Sequence, residues 1–211
     1  MLIAKGAEAY LFKEEWYGKT VIRKFRIPKS YRLPELDIKL RTYRTVHEAR
    51  MYNEARKVGV PTPIVYSVNL EKTTLIYEYI DGVRIKDVLD NLSQKKLKEI
   101  SINIGRNIGI LHEHGIIHGD LTTSNMLLTE DNRIVFIDFG LSERSFEIEA
   151  KGVDLHLMKR ALQSTHYLNA QQCFKWISEG YSEHLGDSSM EVLKRVSQIE
   201  RRGRYIVQRM I

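Results

Sequence analysis

The sequence predicts an α+β protein of two unequal lobes, a small β-rich one with a single helix followed by a reduced, largely helical one. Three observations carry that expectation. Short strand-like runs fill the first 80 residues and are interrupted by one stretch of helical spacing. Helical periodicity dominates the rest of the chain. Between the two, Asp81-Gly82 marks a turn, which places the expected division at residues 1–82 and 83–211.

Taken in order, Ala9–Phe12 and Thr20–Arg26 read as strands joined through a turn at Tyr17-Gly18-Lys19. Residues 35–58 read as a helix, with Glu48, Tyr52, Ala55 and Val58 on one face and Gly59 as its stop. Pro61 and Pro63 force extended backbone. Two alternating runs come next, Ile64–Val68 and Thr74–Ile80. Leu97, Ile100, Ile104, Ile108 and Leu111 mark a long amphipathic helix closing at His114-Gly115. A loop at residues 116–125 leads into a strand pair, Met126–Leu128 and Ile134–Ile137, and helices are expected beyond it.

Bulk composition narrows the class. At 211 residues, 43% hydrophobic and 28% charged, the chain can bury a sizeable core and has no signature of disorder or fibre. One cysteine, Cys173, rules out an intramolecular disulfide and suits a reducing compartment. No apolar run approaches the ~20 residues that span a bilayer, and the N-terminal residues lack a signal-peptide layout, so a cytoplasmic protein without a membrane partner is expected. The net charge of +6 is uneven: residues 1–60 hold 14 Lys and Arg against 7 Asp and Glu, and residues 191–211 hold 6 against 2. Basic ends are compatible with a polyanion such as RNA, and more simply with a solvated surface rich in Lys and Arg.

The densest chemical signal is Ile117-His118-Gly119-Asp120-Leu121-Thr122-Thr123-Ser124-Asn125, with Asp138-Phe139-Gly140 beginning 13 residues after Asn125. This resembles the catalytic loop and metal-binding triplet of the protein-kinase superfamily, including the offset of five from Asp to Asn. Phosphoryl transfer needs charge neutralised on a triphosphate and an acceptor aligned in line. Asp120 can accept the acceptor's proton, while Asn125 and Asp138 offer the oxygens that hard Mg²⁺ prefers. The resemblance therefore implies a protein-kinase-like fold that binds ATP and Mg²⁺.

Upstream, Thr20-Val21-Ile22-Arg23-Lys24 resembles the strand whose lysine holds the α- and β-phosphates, with Arg23 and Arg26 as competitors for Lys24. Glu48, a carboxylate on an apolar stripe, calls for a cation, and a Lys24–Glu48 pair satisfies it; Glu54 is its rival but lies off the stripe. Lys5-Gly6-Ala7-Glu8-Ala9 resembles a nucleotide-covering loop reduced to one glycine, Gly6. Leu75–Gly82 resembles the hinge, where backbone groups of Glu78 and Ile80 would meet adenine.

The residues after Gly140 set the branch of the superfamily. Only 13 residues separate Gly140 from Asp154, no Ala-Pro-Glu anchor occurs, and Asp154 looks like the aspartate that braces the catalytic loop. The peptide-docking platform of ordinary protein kinases is missing. Lys24-Phe25-Arg26-Ile27-Pro28-Lys29-Ser30-Tyr31-Arg32, Leu33-Pro34-Glu35-Leu36-Asp37 and Arg44–Arg50 resemble the small kinase subunit of the KEOPS (EKC) complex, the PRPK family. So do Gly59-Val60-Pro61-Thr62-Pro63, the catalytic loop itself and the basic Arg201-Arg202-Gly203-Arg204. That resemblance spans essentially the whole chain. It implies an atypical serine/threonine kinase and ATPase serving threonylcarbamoyladenosine formation at position 37 of tRNA. Its partners would be the Kae-type threonylcarbamoyltransferase subunit, a second small subunit, and tRNA met through Arg201, Arg202 and Arg204. Beyond Arg204 the tail is less continuously basic than in the family. The alternatives are a free-standing RIO-like kinase, a nucleotide-binding scaffold and a small-molecule phosphotransferase.

Overall fold

The computed structural model describes the backbone of residues 1–208 and the side chains of residues 1–202. A five-stranded antiparallel sheet opens the chain: β1 (Leu2–Lys5), β2 (Ala9–Trp16), β3 (Lys19–Arg26), β4 (Val65–Asn69) and β5 (Thr74–Glu78), in spatial order β1-β2-β3-β5-β4. Tyr17 and Gly18, both at positive φ, form the two-residue turn that pairs Trp16 with Lys19. Strand β1 was not expected, because all four of its side chains are exposed and carry no alternation. It puts the Gly6 loop between two strands, as a β1–β2 connection, rather than ahead of the first strand.

Helix α1 (Pro34–Lys57) starts on a proline in its first turn, with Glu35 and Asp37 near its positive end and Arg56 and Lys57 near its negative end. It buries Glu48, Met51, Tyr52 and Ala55. In β3 the alternation turns Ile22, Lys24 and Arg26 inward. Arg23 points the other way, onto Glu14 and the Phe12 ring.

The second part begins with β6 (Gly82–Arg84), which pairs with β8 (Met126–Thr129), itself paired with β9 (Ile134–Phe136). Between them lie α2 (Ile85–Val88), a 3-10 turn at Leu89–Asn91, α3 (Gln94–Glu113), β7 (Ile116–Ile117) and a 3-10 turn at Thr123–Asn125. Strand β10 (Glu143–Arg144) pairs back on β7, and α4 (Ile148–Thr165), α5 (Ala170–Leu185) and α6 (Ser188–Gln208) complete the fold. Ser93 caps α3 by accepting the Lys96 N–H. The stripe Leu97, Ile100, Ile104, Ile108 and Leu111 is fully buried, in one core with Cys173, Ile177 and Tyr181 of α5 and Leu155 and Met158 of α4. At about 1.5–3 kcal/mol per buried Leu or Ile, this core anchors everything the catalytic loop rests on. Among the described residues no helix is long and apolar enough to cross a membrane.

Candidate active site

The two parts meet at a cavity of about 420 Å³ lined by Gly6, Ala7, Glu8, Lys24, Arg26, Asp120, Asp138 and Gly140. An adjoining recess of about 250 Å³ shares Ala4 and Leu11 with it and is lined by Ile22, Tyr77, Glu78, Ile80, Leu127 and Ile137. The first is charged and the second mostly apolar, the division that a triphosphate and a flat heterocycle require.

Lys24 is nearly buried, and its Nζ lies 2.8 Å from Glu48 Oε1 and 2.8 Å from Asp138 Oδ1. Burial pulls its ammonium toward deprotonation, but Glu48 and Asp138 outweigh that and hold its pKa above the usual lysine value. Burial likewise favours the neutral form of Asp138, yet the Lys24 charge and hydrogen bond, with help from Arg26, keep the carboxyl below the usual range. Arg26 donates to Glu48 Oε2 at 2.5 Å. The expected rivalry between Lys24 and Arg26 is thus a division of labour on one carboxylate, and Arg23 plays no part. Glu54, the rival of Glu48, pairs with Arg50 and Arg144 outside the cavity.

Asp138 sits at φ +62°, a left-handed conformation unusual for a residue with a side chain. Its N–H donates to the Tyr52 hydroxyl at 2.8 Å, and the Gly140 N–H reaches its Oδ1 at 3.4 Å. Tyr52, fully buried on α1, packs on Tyr77 and on Phe139, which in turn packs on His118. This aromatic series ties the sheet, α1 and the catalytic loop together.

In the loop, Asn125 Nδ2 donates to both the backbone oxygen (3.0 Å) and Oδ2 (2.8 Å) of Asp120, leaving the Asn125 carbonyl oxygen for a metal. Among the described residues no hydrogen bond reaches Asp120 Oδ1, so that oxygen is available to an acceptor's proton. His118 Nδ1 accepts the Asp120 N–H and its Nε2 faces the Ile137 carbonyl, which fixes the neutral Nε2–H tautomer. Buried Asp154 accepts the His118 N–H (2.8 Å) and the Gly119 N–H (2.9 Å), and its Oδ2 lies 3.2 Å from His112 Nε2. Gly119 occupies φ +77°, and a Cβ there would come within 2.2 Å of the Leu141 oxygen. The glycine is therefore required at this position.

Of the remaining expected groups, Gly6 lines the charged cavity, and Glu78 and Ile80 line the apolar recess. The Glu78 N–H is already taken by the Ile64 oxygen, so Glu78 has its carbonyl to offer a ligand. Glu8, in the loop over the cavity, is gripped by Arg44 and Arg32, while Lys29 donates to the Ala7 oxygen. Arg201 and Arg202 are exposed at the far end of α6, with Arg202 reaching Glu149. The side chain of Arg204 lies outside the described residues. Sequence reasoning missed the Tyr52 hydroxyl and the second cation on Glu48. A tyrosine where phenylalanine would fill an apolar stripe, and two inward cations at positions i and i+2, were the available signals.

Among the described residues no three His, Cys, Asp or Glu cluster into a metal cage. Mg²⁺ needs none, since it takes one or two protein oxygens and completes its shell with water and phosphate. Asp138 and Asn125 suit that role.

The fold and this site define a kinase-like domain. The model of the ABC1 atypical kinase-like domain matches residues 25–182. KEOPS complex subunit Bud32 of Pyrococcus abyssi is 46% identical over 97% of this chain and 96% of its own length. EKC/KEOPS complex subunit bud32 of Dictyostelium discoideum is 40% identical over 97% of this chain and 82% of its own. A probable bifunctional tRNA threonylcarbamoyladenosine biosynthesis protein of Methanothermobacter thermautotrophicus is 42% identical, and there the chain spans 36% of a longer polypeptide. The chain belongs to the Bud32 family of atypical kinase-like proteins.

Proposed function

We propose that this chain is an ATP- and Mg²⁺-dependent atypical serine/threonine kinase and ATPase, and that it works as a KEOPS subunit in forming threonylcarbamoyladenosine at position 37 of tRNA. One observation carries the chemical half: Lys24 lies 2.8 Å from both Glu48 and Asp138, in a cavity that Asp120 also lines. Lys24 meets the α- and β-phosphates and Glu48 orients it. Asp138 and Asn125 hold Mg²⁺, which when bound neutralises charge on the transferring phosphoryl group. Asp120 orients the acceptor hydroxyl or water and takes its proton. The apolar recess, lined by Ile22, Leu127, Glu78 and Ile80, holds adenine, with backbone groups of Glu78 and Ile80 as its hydrogen-bonding partners.

The cellular half is supported by the names of the relatives and by the bifunctional ones, in which the matching segment shares a polypeptide with a second activity. In that reading the chain meets a Kae-type transferase subunit and a second small subunit by docking. Arg201, Arg202 and Arg204 would then face tRNA.

The test is Mg²⁺-dependent ATP hydrolysis by the purified protein, alone and with the transferase subunit and tRNA. Turnover that rises with both, and is abolished in Asp138→Ala, is expected. Wild-type turnover in Asp138→Ala would overturn the metal assignment. Turnover indifferent to partner and tRNA, with efficient labelling of added proteins, would replace the KEOPS reading with a free-standing kinase.

A further inference from the structure

Glu48 is fully buried in α1, and its two oxygens have different partners, Lys24 on Oε1 and Arg26 on Oε2. Arg26 lies two residues beyond Lys24 on β3 and is itself 5% exposed. Its Nη2 also reaches the backbone oxygen of Arg44, one helical turn before Glu48, at 3.4 Å. A Cβ on Gly140 would come 3.1 Å from that same Nη2, so the glycine of the metal triplet leaves room for it.

A lysine that meets a triphosphate must keep its glutamate, because the pair has to stand in place during phosphoryl transfer, and a buried carboxylate short of a cation is strongly destabilised. Protein kinases keep this pair assembled by positioning the helix that bears the glutamate, commonly through a phosphorylated activation loop. Here the 13 residues between Gly140 and Asp154 leave no such loop. Other contacts instead pin α1 to that short segment. His47 Nε2 lies 2.7 Å from the Ser142 oxygen, and Arg144 lies 2.6 Å from Glu54.

We propose, resting on the kinase reading above, that Arg26 is a positioning residue for phosphoryl transfer. It holds Glu48, and with it α1, in the productive place, so that Glu48 keeps Lys24 aimed at the nucleotide. The site is thereby assembled without a phosphorylated loop.

The test compares R26Q, R26K, E48Q and R26Q/E48Q in Mg²⁺-dependent ATP hydrolysis by the whole chain. R26Q is expected to lower kcat about tenfold or more with KM for ATP changed less than about threefold, and R26K to recover most of the loss. Because Arg26 acts through Glu48, the double variant should fall no lower than E48Q alone. Phosphatase-treated wild type should turn over without a lag. Wild-type kcat in R26Q, losses that multiply in the double variant, or a lag removed by prior autophosphorylation would each overturn the proposal. Should R26Q not fold, side-chain NMR of the wild type decides. With a non-hydrolysable ATP analogue and Mg²⁺, the restrained Arg26 guanidinium signal should persist while the Lys24 ammonium signal shifts. Loss of the restrained signal refutes the role. Asp138→Ala separates the two levels: if it keeps turnover the kinase reading fails, whereas if it is dead and R26Q is normal only the role of Arg26 fails.

Discussion

Tyr52→Phe removes one oxygen and little else, and so isolates what holds Asp138 in its left-handed conformation. In the native protein the Asp138 N–H has the Tyr52 hydroxyl as its acceptor at 2.8 Å, and the Tyr52 ring is fully buried against Tyr77 and Phe139. Phenylalanine keeps the packing and leaves that N–H unsatisfied, at a cost of about 1–3 kcal/mol. For a chain of this length each kcal/mol moves the melting temperature by roughly 2–4 °C, so a fall of about 2–12 °C is expected. The functional effect should be specific. Asp138 at φ +62° is held by its surroundings, and with the acceptor gone its peptide relaxes and its carboxylate shifts. A tenfold weaker metal site corresponds to about 1.4 kcal/mol, well within the energy released. The assay is a Mg²⁺ titration of ATP hydrolysis beside a thermal melt. The half-saturating Mg²⁺ should rise about three- to tenfold, while metal-free nucleotide binding is unchanged. A melt within 1 °C of wild type together with an unchanged Mg²⁺ requirement would show that the hydroxyl does not hold Asp138.

Asp154→Asn leaves one of two backbone N–H groups, buried His118 or half-buried Gly119, facing an amide NH₂ and removes the charge beside His112. A destabilisation of about 3 kcal/mol is expected by denaturant melt, with autophosphorylation lost in the folded fraction because the catalytic loop is no longer braced. Full activity in the folded variant would refute that bracing. In the pH profile, Asp138 has its carboxyl below the ordinary 3.8, so its stabilisation is complete above about pH 4 and is lost as pH falls through the lowered value. Lys24, held above 10.5, contributes fully below that value and loses its share only as pH rises through the raised one. Melting temperature should therefore be flat between these limits for this cluster, and Asp138→Asn should flatten the acid limb; an unchanged limb would mean another carboxylate sets it. Glu8→Gln breaks a pair whose carboxylate is 44% exposed, worth at most about 1 kcal/mol. The KM for ATP should rise less than about fivefold, and a larger rise would mean that Glu8 does more than tether its loop.

Local pattern carried much of this molecule, because its elements follow their own periodicities. The α3 stripe is buried at each expected position, and the Asp120–Asn125 offset folds into one hydrogen-bonded unit. Lys24 and Glu48 were readable because a buried carboxylate demands a cation. What could not be read was sharing. That Glu48 has two cations depends on Arg26 reaching under Gly140, a three-body fact that no single spacing encodes. The Tyr52 hydroxyl was hidden for a similar reason, since its partner is a backbone group 86 residues away. Strand β1 escaped because a fully exposed edge strand has no alternation to display.

The segment after the metal triplet says how an acceptor must reach Asp120. In kinases that choose peptides by sequence, this segment forms a ledge beside the catalytic loop. Here its residues are consumed in holding the two parts together. Ser142 is bound by His47, Glu143 and Arg144 pair with β7, Arg144 also reaches Glu54 and the His114 oxygen, and the Ser145 N–H reaches the Gly115 oxygen. Helix α4 begins at Ile148 directly afterwards. With these groups engaged, the segment has fewer partners to offer the local sequence around an acceptor. Selection then falls to whatever raises the acceptor's effective concentration at the cleft, a docked partner or the chain itself. A segment so engaged suits an acceptor brought to the cleft by docking, in keeping with the subunit role proposed above.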